Sequence, residues 1–146
     1  MKLKTAITLF LICSLGYIGF GFVKVHTSAD VIAYKSFSKA LMKGDLIRAK
    51  RMVHSDDALT ALEQSEERGT RYEGHIRFTY HQVLSHDYTA NGEEARLKVK
   101  QITRMDPKGG DTTLWGSQTV EEIHTVVLRK NEDGLWRIVF FDEALI

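Results

Sequence analysis

Three hydrophobic rhythms follow one another along the chain. The first is an unbroken apolar run, Thr5 to Val23, with no charged side chain. At ~1.5 Å per helical residue it nearly spans a ~30 Å hydrocarbon core. Its Leu, Ile, Phe and Val residues favour insertion by roughly 3–6 kcal/mol, partly offset by Gly16, Gly19, Gly21 and the hydroxyl side chains. Lys2 and Lys4 favour an amino end in the cytoplasm, with Lys24 a weaker opposing charge. The expected layout is a cytoplasmic tail (1–4), a transmembrane signal-anchor (5–23), a tether (24–29) and one folded domain outside the cytoplasm (30–146). The rival layout is a cleaved signal peptide, cut after Thr27-Ser28-Ala29, which leaves a secreted or periplasmic domain. The apolar run exceeds the ~7–15 residues usual for a signal peptide, which favours the anchor. Cys13 follows bulky Ile12, where a lipoprotein signal wants a small residue.

The second rhythm is helical. Val31, Tyr34, Phe37 and Leu41 recur at spacings of three and four, predicting a helix over Asp30–Lys43 with Ser28 or Asp30 as its cap. Gly44 ends it. Asp45 then caps a second helix, Leu46–Val53, and Ser55 or Asp56 a third, Asp57–Arg68. The third rhythm has period two. Ile76, Phe78 and Tyr80 alternate with Arg77, Thr79 and His81, which puts the first set inside and the second in solvent. Asn91-Gly92 is a hairpin turn. Ala95, Leu97 and Val99 then point inward against Arg96, Lys98 and Lys100. The phase slips at Ile102, which predicts a bulge near Lys100–Gln101. Leu114–Lys130 is a long strand bent around Gly116. Asn131–Gly134 is a tight turn before a closing strand, Leu135–Phe141. In that strand Trp136, Ile138 and Phe140 share one face and Val139 and Phe141 the other.

Size and charge narrow the choices. A chain of 146 residues suits one domain. A net charge of +1 gives no basic field for nucleic acid. The single cysteine lies in the apolar run, so the domain holds neither a disulfide nor a thiolate metal site.

Several stretches form a familiar pattern. They are Phe37…Ala40-Leu41…Gly44-Asp45…Ala49, Asn91-Gly92…Ala95-Arg96-Leu97-Lys98-Val99, and Val127-Leu128-Arg129-Lys130…Asp133-Gly134-Leu135-Trp136-Arg137-Ile138. Over nearly all of Asp30–Ile146 the chain resembles the nuclear-transport-factor-2-like superfamily. That group is the cystatin-like α+β cone, which includes SnoaL-like proteins and ketosteroid isomerase. The resemblance implies helices packed on a curved antiparallel sheet, often with a pocket at the open end. It also makes a homodimer or a protein partner through the sheet plausible. The superfamily hosts enzymes, binding modules and secretion-system scaffolds, so fold alone says little about function. No base and oxyanion-binding pair can be placed residue by residue, so the balance leans away from an enzyme.

Candidate chemistry follows from strand parity. Tyr34, Tyr80, His124 and Asp142 all fall on predicted inward positions, the last at a strand end where a cone opens. Together they have the make-up of a ligand pocket, apolar with a few convergent polar groups. The plain alternative is a set of core and rim residues with satisfied polar tips. Trp115, Val139 and Phe141 are candidates for an interface, because the last two leave an apolar sheet face opposite the core. The six histidines show no metal-site spacing, and neither a metal nor a cofactor is expected. Two functions follow: a non-catalytic interaction or scaffold module at the membrane, or a small-ligand binder or proton-transfer enzyme using the cone.

Overall fold

The computed structural model describes residues 3–54, 74–107 and 118–146. The expected helix Asp57–Arg68, and Leu114–Ser117 with Trp115, lie outside the described residues. Helix α1 (Leu3–His26) is apolar on every side. Its segment Thr5–His26 has 22 residues and a mean hydropathy of 2.1, with none of it buried. It is therefore no core helix; by length and composition it can cross a membrane. The helix continues past Val23 to His26, and only Thr27-Ser28 separate it from the next helix. Both hydroxyls turn back onto α1, Thr27 Oγ1 donating to the Val23 carbonyl (2.7 Å) and Ser28 Oγ to that of Val25 (2.7 Å).

Helix α2 (Ala29–Met42) carries the expected stripe, with Val31, Tyr34 and Phe37 fully buried. Its end is a Schellman motif. Gly44 takes φ +67°, its N–H donates to the Leu41 carbonyl (3.0 Å), and the Asp45 N–H donates to that of Ala40 (2.9 Å). Asp45 Oδ1 accepts from the Arg48 N–H and starts α3 (Leu46–Lys50). This helix is shorter than its pattern suggests because the next backbone stretch bonds to the sheet instead. The Ile138 N–H donates to the Met52 carbonyl and the His54 N–H to that of Ile138, both at 2.8 Å.

Four strands form an antiparallel meander in sequence order: β1 (Gly74–Tyr88), β2 (Glu94–Pro107), β3 (Gln118–Lys130) and β4 (Trp136–Leu145). The Asn91-Gly92 turn joins β1 to β2 and Asn131–Gly134 joins β3 to β4, as expected. The bulges fall elsewhere than predicted. β2 pairs with β3 without interruption from Glu94 to Met105, so no bulge exists near Lys100–Gln101. Register shifts occur instead at Arg77 and Leu84 of β1 and at Val139 of β4. Bulges bend a strand and reverse the parity beyond them. Here they curve both outer strands around α2.

On the concave face, cross-strand neighbours form rows. Nearest the hairpin turns lie Ala95, Leu128 and Ile138, then Leu97, Val126 and Phe141. Leu97, Val126, Leu128, Ile138 and Phe141 pack with Val31, Phe37 and Ala49 in the apolar core, with Phe37 and Phe141 edge to face at 5.2 Å. Farther along, the rows turn polar: Val99, His124 and Glu143, then His81, Gln101 and Glu122, then Thr79 and Thr103.

Candidate functional site

The polar rows meet the middle of α2. His124, 3% exposed, lies between Tyr34 and two carboxylates. Its Nδ1 is 2.7 Å from Tyr34 Oη. Its Nε2 is 3.3 Å from Glu122 Oε2 and 3.9 Å from Glu143 Oε2. Gln101 Nε2 donates to Glu122 Oε2 at 3.2 Å, while Gln101 Oε1 accepts from Ser38 Oγ and from His81 Nε2 (3.1 Å). The result is one connected network from α2 across all four strands.

Burial sets its protonation. It pushes the Tyr34 hydroxyl far above the ordinary tyrosine range, and the nearby Glu122 carboxylate adds to the effect. Tyr34 therefore stays protonated and can donate to His124 Nδ1 in the tautomer whose Nε2–H faces the carboxylates. Burial likewise lowers His81 to about 4, against the opposing bond to Gln101, so its ring is neutral near pH 7 and donates to Gln101. The chain Tyr34–His124–Glu122 is one along which a proton can shift, as general acid–base chemistry requires.

Beside this network lies a cavity lined by Ser38, Met42, Gln101, Glu122, His124 and Glu143 together with Leu41 and Phe141. The space open to the centre of a water-sized sphere is about 20 Å³. That suffices for roughly one water molecule.

Solved structures share this architecture. A candidate ketosteroid isomerase from Shewanella frigidimarina superposes with a TM-score of 0.57 at 18% identity, over 81% of this chain and 96% of that one. A ketosteroid isomerase-like protein from Erwinia carotovora atroseptica gives 0.56 at 12% identity, over 83% and 96%. A candidate dehydratase of the nuclear-transport-factor-2-like family from Streptomyces avermitilis gives 0.53 at 13%, over 79% and 92%. The fold is nuclear-transport-factor-2-like. At these identities the likeness concerns the fold alone. No family model matches the chain, and no curated protein matches it significantly.

Within this nuclear-transport-factor-2-like cone, the residues expected in the pocket separate. Tyr34 and His124 meet there. Tyr80 does not: the bulge at Arg77 turns Phe78 and Tyr80 outward, Tyr80 being 48% exposed, and brings in Thr79 and His81. Asp142 is also outward, because the bulge at Val139 shifts the inward set to Phe141 and Glu143. For the same reason Phe141 is core, not interface, and Val139 is half-buried at the bulge itself.

Ser38, His81, Gln101, Glu122 and Glu143 escape the sequence reading. Glu122 was within reach, since it continues the parity of Val126 and His124. Gln101 announced itself as the phase slip near Ile102, which marks a polar inward position and not a change of geometry. The spacing of the histidines also hides one convergence: Glu122, His124 and Glu143 bring one donor atom each to within 4.8 Å of one another.

A second buried cluster is architectural. Asp30, 1% exposed, accepts from Tyr88 Oη (3.0 Å) and meets His86 Nε2 at 2.6 Å. It ties the first turn of α2, next to the end of α1, onto β1, and so replaces the capping role expected of it.

Proposed function

We propose that this chain is a membrane-tethered domain that binds a small polar ligand in the interior of its cone. The observation that carries this reading is the run of buried polar side chains, Ser38, Gln101, Glu122 and His124, facing one cavity next to the apolar core. Buried polar groups lower stability unless they are satisfied, and a core built only for packing gains nothing from them. The cavity's size favours a ligand that inserts one small polar group over one that buries a large apolar body. Of the residues expected at an interface, Phe141 offers no surface to a partner, being 4% exposed and packed on Phe37.

The exposed apolar α1 supports the tether. Residues before the candidate cut site also bond to the domain: Lys35 Nζ contacts His26 Nδ1 (3.1 Å) and donates to its carbonyl (3.3 Å), and the Ile32 N–H donates to the Ser28 carbonyl (3.0 Å). The positive charges at Lys2 and Lys4 favour the domain on the extracytoplasmic side.

The test is a thermal-shift screen of the full chain in detergent micelles against small carboxylates, amides, enolisable carbonyl compounds and divalent metal ions. A probe that raises the midpoint in the native chain and not in His124→Ala supports the reading. A screen in which no probe acts, or in which the variant responds equally, refutes it.

A further inference from the structure

Glu122, His124 and Glu143 occupy adjacent positions on two paired strands. His124 sits directly across from Glu143, and Glu122 is two residues before His124 on the same face. A sheet holds such donors more rigidly than a loop does. We propose that these three side chains bind one divalent transition-metal ion of the zinc class. The inference rests on the binding reading above and names its ligand.

The donor set comes first. One imidazole with two carboxylates matches the mixed nitrogen and oxygen sites that zinc and its neighbours occupy. Spacing comes second. Donors held about 2.0–2.2 Å from a tetrahedral ion lie roughly 3.3–3.6 Å from one another. His124 Nε2 is 3.3 Å from Glu122 and 3.9 Å from Glu143, and all three donors lie within 4.8 Å of one another, so the two carboxylates have to draw together on an ion to reach that spacing. Glu143 is on the rim, and its side chain is 10% exposed.

The surroundings provide a third argument. A metal-bound histidine usually fixes its other ring nitrogen by a hydrogen bond, and bound carboxylates are held in turn by donors. Tyr34 Oη stands at His124 Nδ1, and Gln101 Nε2 donates to the inner carboxylate, Glu122. In the loaded state Nε2 offers its lone pair and Nδ1–H donates to Tyr34. The cavity is the fourth argument. Its room for about one water suits an ion with a single open position, whereas a sterol-sized body does not fit it.

Co²⁺ is the probe, because its visible absorption reports coordination geometry. Tag-free full chain in micelles is stripped with a chelator and titrated with Co²⁺, and then Zn²⁺ is added. The expected result is a strong visible band saturating at about one ion per chain and abolished by Zn²⁺. Glu143→Gln, near-isosteric and at the rim, should lose the band. Tyr34→Phe should keep it with affinity weaker by about 10–100-fold, the usual effect of losing an outer hydrogen bond. Circular dichroism confirms that each variant is folded. A native chain without a Co²⁺ band, or a Glu143→Gln chain that binds as tightly as the native one, overturns the assignment. If Co²⁺ fails but an organic probe stabilises the chain, the metal falls and the binding site stands. If neither acts, both fall.

Discussion

Replacing Gln101 by leucine separates a polar interior from a bulged strand. Gln101 is 1% exposed, and its amide serves Ser38, His81 and Glu122. Leucine leaves the His81 N–H with only the longer contact to Ser38 Oγ (3.4 Å) and Glu122 without one of its donors. Two groups stripped of a buried partner cost about 1–3 kcal/mol each. Leucine regains part of this through apolar burial, about 1–2 kcal/mol once the aliphatic stem already buried by glutamine is allowed for. At the midpoints of these ranges the net loss is about 2.5 kcal/mol, a urea midpoint lower by ~1.7 M at a slope of about 1.5 kcal/mol/M. The assay is urea unfolding of the full chain in micelles, followed by tryptophan fluorescence and circular dichroism. With Gln101 at a solvent-facing bulge the same change would stay within about 0.5 kcal/mol. A result in that range refutes the inward placement, and with it the polar network.

Other consequences are independent of that one. Phe37→Ala removes the ring that packs on Phe141 and should destabilise by about 3–5 kcal/mol in the same unfolding assay. Gly44→Ala forces an alanine to φ +67° and should lower stability by about 1 kcal/mol, seen as a reduced thermal midpoint with unchanged far-ultraviolet spectrum. His81 is held neutral by burial, its pKa lowered from 6.5 to about 4. The unfolded chain therefore binds the extra proton first as pH falls. His81's contribution is complete above about pH 6.5 and is lost between there and about pH 4. Unfolding midpoints measured across that window should fall with pH in the native chain and fall less steeply in His81→Gln. Amino-terminal sequencing of the mature protein should begin near Met1, whereas a start at Asp30 would replace the anchor by a cleaved signal.

Much of the fold is legible in the sequence, and part of the site is not, for one physical reason. The α2 stripe shows because burial is one-sided and helical spacing is fixed by geometry. The Asn91-Gly92 turn shows because few residues adopt its backbone, and Gly92 takes φ +70°. A strand's facing, by contrast, rests on an alternation that one extra residue reverses. Arg77, Leu84 and Val139 are ordinary residues with no composition that marks a bulge. Strict alternation therefore places Tyr80, Asp142 and Phe141 on the wrong face, and the periodicity places Tyr34 and His124 on the right one, since α2 and β3 contain no such slip. At Gln101 the error ran the other way. Hydrophobicity reports direction only in an apolar interior; where a cone keeps polar groups inside, a polar residue can occupy a regular inward position.

The most direct test of the interior binding site is the imidazole ¹⁵N spectrum of the full chain in micelles, recorded with and without Zn²⁺ and the organic probes. A ligand in the cone should move the ring signals of His124, and to a smaller degree those of His81, and leave the exposed His54 and His75 unchanged. Signals that move only at His54 or His75, or at no histidine when a probe binds, would contradict the account.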